Sequence, residues 1–245
     1  LPPIGRVLHE MGAWEKVEAA GFPVKLGATY TWGKTTEPWV FGFIPDSEIK
    51  DTPRPGKYEG WRARVAMQVD RAIYDDILLK HAGEMGGVVR QGVRIAKVHH
   101  EATPAGPRVT HLETESGERI TGRHYVDASG NAAVIRRQLG VEVDAPQVLR
   151  NIALWDYWDR PGLNEALLSR KTVRVQIRSL GYGWIWYIAL SNDRTSVGLV
   201  CNAEYYKASG KRPEEIYHES LAKEPSVRAL LDGARHRGKV ESTTD

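Results

Sequence analysis

Four segments rich in aromatic and β-branched residues follow one another in the second half of the chain. They span residues 149–158, 171–179, 184–190 and 195–202. Residues of these types favour strands, because their side chains pack well on a pleated surface. This half of the chain therefore predicts a mainly antiparallel sheet. Residues 213–232 follow it with a helical pattern that Pro225 interrupts.

The third of these segments contains the run Gly183-Trp184-Ile185-Trp186-Tyr187-Ile188. Side chains two positions apart in a strand lie on the same face, so Trp184 and Trp186 are expected to form one aromatic wall. Their two indole N–H groups need hydrogen-bond acceptors. From this run alone, an ordinary strand in a sheet core is the plainer interpretation. A functional aromatic surface is the alternative.

The first half of the chain alternates helical and strand patterns. The predicted elements are a helix over 1–21, a β pattern over 24–43 with a turn at Gly33-Lys34, a strand over 65–69, a helix over 71–85 with Asp70 as N-cap, a strand over 88–98, a hairpin with its turn at 104–107 and second arm at 108–114, a strand over 119–126, and a helix over 132–139. This order is typical of α/β dinucleotide-binding domains.

Composition and charge exclude several classes of partner. The 245 residues have a net charge of +3, and the basic residues are scattered among nearly as many acids, so no nucleic-acid partner is predicted. The single cysteine, Cys201, cannot form an internal disulfide, which fits a cytoplasmic protein, and its apolar surroundings predict a buried thiol. No run approaches the roughly 18 apolar residues of a membrane span.

Asp127-Ala128-Ser129-Gly130 separates a predicted strand from a predicted helix. Small residues there let a ligand approach the backbone, and a helix N-terminus favours a phosphate group. A carboxylate at the carboxyl end of a strand can also hold a ribose or ribityl hydroxyl. The alternative is a plain strand-to-helix turn with an N-cap.

Two segments resemble the FAD-contacting motifs of flavoenzymes with the para-hydroxybenzoate hydroxylase fold. They are Gln68-Val69-Asp70-Arg71 with Tyr74-Asp75 and Leu78-Leu79, and Asp127–Gly130 with Arg136 and Leu139-Gly140. Other segments resemble the FAD-dependent halogenases that act on phenols or pyrroles. They are Gly21-Phe22-Pro23-Val24-Lys25, Gly27-Ala28-Thr29, Trp32-Gly33-Lys34, Pro38-Trp39, Gly183–Ile188 and Thr195-Ser196-Val197-Gly198. Ala189 departs from the family, which has proline there.

The resemblance implies an α/β fold whose second part is α+β. Residues 1–23 and 64–148 would form an incomplete Rossmann-like FAD-binding domain, and residues 24–63 and 149–245 an antiparallel substrate sheet. The implied cofactor-binding residues are Gln68, Arg71, Ile95, Asp127, Ala128, Ser129 and Gly130. Ile95 is equally compatible with an ordinary strand core.

The resemblance also implies a reaction. Reduced FAD, supplied by a separate flavin reductase, and oxygen would convert chloride or bromide into hypohalous acid, and no metal is needed. Lys34 would deliver the halogen to an electron-rich aromatic substrate, which in many relatives is tethered to a carrier protein. Trp184 and Trp186 would separate flavin from substrate. A lysine suits this role because desolvation makes its amine nucleophilic, although Lys34 taken alone is typical of an exposed turn.

The sequence leaves two alternative functions open. One is an FAD-dependent monooxygenase or reductase of the same fold, and the other is a non-catalytic fragment or protein-binding sheet. The family's Gly-x-Gly-x-x-Gly turn is not in the sequence, and the chain opens on Leu1-Pro2 without Met. We therefore expect both ends to be cut from a longer protein, and the isolated chain to bind FAD poorly.

Overall fold

The computed structural model describes residues 1–144, 150–159 and 172–244. By the density of its contacts the chain divides into two units. The first combines Leu1–Met85 with Leu149–Asp245, and the second is Gly86–Val148. The domain boundaries that the sequence suggests remain a prediction.

The first unit begins with two helices, α1 (Pro3–Glu10) and α2 (Trp14–Ala19). A third helix, α3 (Arg71–Glu84), follows its first strands. The single helix expected over residues 1–21 is wrong, because the backbone turns at Gly12, where φ is +77°. The N-cap prediction for α3 is confirmed: the Asp70 carboxylate accepts a hydrogen bond from the backbone N–H of Ala72 at 3.1 Å.

A nine-stranded sheet forms the body of the first unit, counted over the residues that the structure describes. Its strands are β1 (Val24–Thr31), β2 (Trp39–Gly42), β3 (Ala66–Met67), β7 (Asn151–Asp159), β8 (Thr172–Leu180), β9 (Gly183–Ala189), β10 (Thr195–Asn202), β11 (Arg235–His236) and β12 (Glu241–Thr244). The spatial order is β11-β7-β10-β9-β8-β1-β2, with β12 also on β7 and β3 also on β1. Only the β1–β8 pair among these is parallel, so the mainly antiparallel sheet is confirmed.

Helices cover one face of this sheet, which we call the helix face. They are α5 (Ala203–Ser209), α6 (Pro213–Lys223) and α7 (Pro225–Leu231), and the predicted break at Pro225 is confirmed. Ile185, Leu199 and Cys201 from the strands pack with Tyr217 and Val227 from the helices, and all five are fully buried. The buried thiol predicted for Cys201 is confirmed, and burial raises its pKa to about 11.

The second unit contains β4 (Ile95–Thr103), β5 (Gly106–Thr114), β6 (Arg119–Ile120) and α4 (Val134–Gln138). The predicted hairpin is confirmed. The strand expected over 88–98 begins only at Ile95, and the strand over 119–126 ends at Ile120. Within the described ranges no strand pairs with residues 88–94 or 121–126, and Val88 and Val126 are 89% and 87% exposed. A strand needs a hydrogen-bonded neighbour, so these segments stay irregular.

No helix in the described part of the chain is long and apolar enough to cross a lipid bilayer.

Candidate active site

Strand pairing places aromatic side chains in one row on the face of the large sheet opposite the helix face. Residues paired across strands point to the same side. The row runs through Trp155, Gly198, Trp186, Ile177, Tyr30 and Trp39, each paired with the next. We call this side of the sheet the aromatic face. Its row draws on six strands from both halves of the first unit.

Trp184 and Trp186 lie together on the aromatic face, as the alternation predicted. Their ring centroids are 5.7 Å apart with the planes tilted by 51°. Both are half-buried, whereas Ile185 between them is 0% exposed on the helix face. The aromatic wall is therefore separate from the main core, and the core interpretation fits Ile185 better than either tryptophan.

Lys25 reaches the aromatic face through an irregularity in β1. Lys25 pairs with Val173 and Tyr30 pairs with Ile177, but the register shifts between Lys25 and Gly27. This bulge inserts one residue, so Lys25 and Tyr30 share a side that strict alternation would deny them. A Cβ at Gly27 would lie 1.9 Å from the carbonyl oxygen of Phe41, so only glycine fits there.

The environment of Lys25 changes its protonation. Partial burial lowers the pKa of its amine below the ordinary value of 10.5. No ion pair joins Lys25 to another described residue. A desolvated amine without a counter-ion is more nucleophilic at neutral pH than an exposed one. Its position in an apolar strand is the sequence signal that indicates such burial.

Lys34 lies in the loop between β1 and β2, where its side chain is exposed. The neighbouring Trp32 is 48% exposed. Tyr30 and Trp39 close the base of this loop, with their rings stacked at a centroid distance of 4.6 Å. Lys34 thus has the solvated surroundings of an ordinary turn lysine, and its assignment to halogen delivery stays a prediction.

Gln68 is hydrogen-bonded to the last residue of β9 and to the residue that precedes β1. Its Nε2 donates a hydrogen bond to the carbonyl oxygen of Ala189 at 2.6 Å, and its backbone N–H donates to Pro23 at 2.9 Å. The side chain is buried, and its Oε1 accepts no hydrogen bond from the described residues. Arg71, by contrast, is an exposed residue whose Nη2 lies 2.9 Å from the Asp75 carboxylate.

The remaining predicted cofactor residues belong to the second unit. Asp127 accepts hydrogen bonds from the Ser129 hydroxyl and from the backbone N–H groups of Ser129, Ile135 and Arg136, which together lower its pKa to about 2. Ala128 and Gly130 are exposed in the same turn, and Gly130 has a φ of +60°. Ile95 begins β4 opposite Thr114. The N-cap interpretation of Asp127 fits these bonds, and its contact with FAD remains a prediction.

Comparison with known proteins identifies the family. The sequence model of the tryptophan halogenase family matches residues 46–238. Tryptophan 2-halogenase of Chondromyces crocatus is 29% identical over 98% of this chain and 43% of its own length. A pyrrole-2-carbonyl peptidyl-carrier-protein chlorinase of Pseudomonas fluorescens is 31% identical over 90% of this chain and 50% of its own length.

The fold agrees with that assignment. The crystal structure of CmlS, a flavin-dependent halogenase, has a TM-score of 0.78 and 26% identity, covering 100% of this chain and 42% of CmlS. The α/β fold and the halogenase resemblance predicted from the sequence are thus confirmed. The chain spans about half the length of the curated relatives it matches. On its sequence and its fold, the chain belongs to the tryptophan halogenase family.

Proposed function

We propose that the protein containing this chain is a flavin-dependent halogenase, which uses reduced FAD, oxygen and chloride or bromide to halogenate an electron-rich aromatic substrate. The observation that supports this most directly is the aromatic face, where a desolvated lysine shares one side of the sheet with two indole rings. Curated relatives are named as halogenases.

The residues present are compatible with FAD. Gln68 offers a buried Oε1 without a partner among the described residues, and the backbone at Gly130 has open space around it. We infer that Gln68, Arg71, Ile95 and the turn from Asp127 to Gly130 contact the cofactor. Reduced FAD, when bound, would supply two of the electrons that reduce oxygen, and the halide would supply the other two and become hypohalous acid.

The lysine that holds the oxidised halogen is, in this proposal, Lys25. Its N–H groups donate hydrogen bonds to hypohalous acid, and its lone pair becomes available because burial lowers the pKa of the amine. Lys34 is the alternative from family resemblance. The lowered pKa and the position on the aromatic face favour Lys25.

Trp184 and Trp186, in this proposal, keep the organic substrate apart from the flavin. Indole rings suit this role because they are large, stiff and apolar on their faces.

Substrate and partners follow from the relatives. One relative is named as a chlorinase of a pyrrole carried by a peptidyl carrier protein. We therefore propose a small phenol or pyrrole, free or tethered to a carrier protein, and a separate reductase that supplies reduced FAD. The single buried thiol, Cys201, supports a reducing cytoplasm as the location.

The test uses the full-length protein with a flavin reductase, a pyrrole or phenol substrate, and chloride or bromide. Halogenated product should form only when halide is present. Lys25→Met should lower the product yield by about 100-fold or more, as expected for loss of a group that acts on the reacting atom. Lys34→Met is the matched control and should retain most of the yield.

Each other outcome has a definite meaning. A loss confined to Lys34→Met would assign delivery to Lys34. Oxygenated product at equal yield without halide would favour the monooxygenase alternative. Failure of the wild-type protein to retain FAD would favour a non-catalytic role.

A further inference from the structure

Trp186 lies over a strand position that has no side chain. Gly198 in β10 is paired directly with Trp186 in β9. A Cβ at Gly198 would lie 2.1 Å from Cζ2, 2.3 Å from Cη2 and 2.4 Å from Cε2 of the Trp186 ring. These distances are far inside van der Waals contact, and the atoms belong to a rigid ring. The indole therefore occupies the space that a side chain at position 198 would need.

A second contact holds the N–H group of the same indole, next to the ring atoms that face Gly198. Ser196 lies two positions from Gly198 and so shares its side of β10. The Trp186 Nε1–H donates a hydrogen bond to the Ser196 Oγ at 3.1 Å. Ser196 is buried, so water cannot take the place of its hydroxyl if the hydroxyl is removed. The indole N–H would then be left without an acceptor.

Trp184 has neither of these contacts. Its partner across the strands is Val200, which has a side chain, and the indole that donates to Ser196 is that of Trp186. A glycine in the interior of a strand weakens the strand and often marks a close approach. The close approach at Gly198 is to Trp186.

We propose that Gly198 and Ser196 are positioning residues that form a seat for the Trp186 indole and fix its rotamer on the aromatic face. Gly198 leaves room for the six-membered ring, and Ser196 fixes the direction of the N–H. The effect on reaction rests on the proposed halogenase function, in which Trp186 separates flavin from substrate. When the indole is displaced, part of the reduced FAD is consumed without forming halogenated product.

The direct test is ¹⁹F NMR of the full-length protein containing 5-fluorotryptophan. The Trp186 resonance is assigned by its disappearance in Trp186→Phe. Gly198→Ala should shift or broaden that resonance, because the added methyl group forces the ring into another rotamer. The Trp14 resonance should not move. Gly181→Ala is the matched control, because nothing lies within 4 Å of a Cβ at Gly181.

The hydrogen bond is tested separately. Ser196→Ala should shift the Trp186 resonance and speed exchange of its indole proton with solvent. Ser196→Thr keeps the hydroxyl and should restore both signals. If Gly198→Ala and Ser196→Ala both leave the Trp186 resonance unchanged, the seat does not exist.

The functional readout is halogenated product formed per reduced FAD consumed. Gly198→Ala should lower this ratio by about tenfold, since a misplacement of about 1 Å near reacting groups is enough for losses up to 10²-fold. The same substitution in a Trp186→Ala background should have no further effect, because the seat acts only through the indole. A further loss in that background would overturn the proposal.

The two proposals fail in different ways. Wild-type protein that forms no halogenated product contradicts the proposed function, and the ¹⁹F shift still decides the seat. Active wild-type protein with an unshifted Trp186 resonance in Gly198→Ala contradicts the seat alone.

Discussion

The two faces of the large sheet use the same strands in different ways. On the helix face, Ile185, Leu199 and Cys201 are 0% exposed and pack against the helices that follow the sheet. On the aromatic face, Trp184 and Trp186 from the same strand as Ile185 are only partly buried. Large apolar groups left outside the core contribute less to stability, so we interpret the aromatic face as kept for function.

Polar groups differ between the faces as well. On the helix face, the Trp158 Nε1–H donates to the Tyr217 hydroxyl at 2.9 Å, and that hydroxyl donates to the carbonyl oxygen of Val197 at 3.0 Å. On the aromatic face, Lys25 is partly buried without an ion pair to another described residue. The first arrangement stabilises the fold, whereas a partly buried amine without an ion pair costs stability.

The largest effect on stability is expected for a truncation on the helix face. Leu199→Ala should lower the free energy of unfolding by about 3 kcal/mol, because a fully buried leucine leaves a cavity. Val200→Ala, the next residue and on the aromatic face, should cost only about 1 kcal/mol. Urea denaturation of both variants measures the difference, and equal losses would show that the two faces are packed alike.

A truncation on the aromatic face should affect the reaction more than the fold. Trp184→Ala should lower product formed per reduced FAD by about tenfold, equivalent to about 1.4 kcal/mol, with a smaller change in unfolding free energy. Trp61→Ala is the control, since Trp61 packs against the cluster of Val24, Leu26, Ile44 and Val65. It should lower stability and keep the product ratio. The reverse pattern would place the functional surface elsewhere.

The smallest predicted effect is a gain in stability. Lys25→Met should raise the free energy of unfolding at pH 7 by about 0.5 kcal/mol, since partial exposure lets water screen much of the charge. Burial lowers the folded-state pKa of Lys25, so the folded protein disfavours the charged form that predominates below that pKa. The gain is therefore full at pH 7 and vanishes as pH rises towards 10.5, the ordinary value.

Denaturation of Lys25→Met and Lys34→Met at pH 7 and pH 10 checks the sign. Lys34→Met should be neutral at both values, because its side chain is exposed. A gain from Lys25→Met that grows with pH would contradict the burial of this amine.

Local patterns predicted the large sheet well. The four strands of the second half, the capped helix α3 and the hairpin of the second unit all appear where alternation, capping and turn residues indicated. Residues 88–94 and 121–126 are predicted as parts of strands, but no strand in the described part of the chain pairs with them. Strand propensity is insufficient there, because backbone groups must find partners in other segments.

The sequence by itself determined that Trp184 and Trp186 share a side, because alternation with a period of two is a property of the strand backbone. It also determined the family. Only the tertiary structure decided which lysine is partly buried on the same side of the sheet as the tryptophans. The bulge at Lys25–Gly27 and the pairing of β1 with β8, about 150 residues later, reverse the side of Lys25. The seat of Trp186 at Gly198 likewise depends on strand register, since contacts between strands are set by packing and not by sequence neighbours.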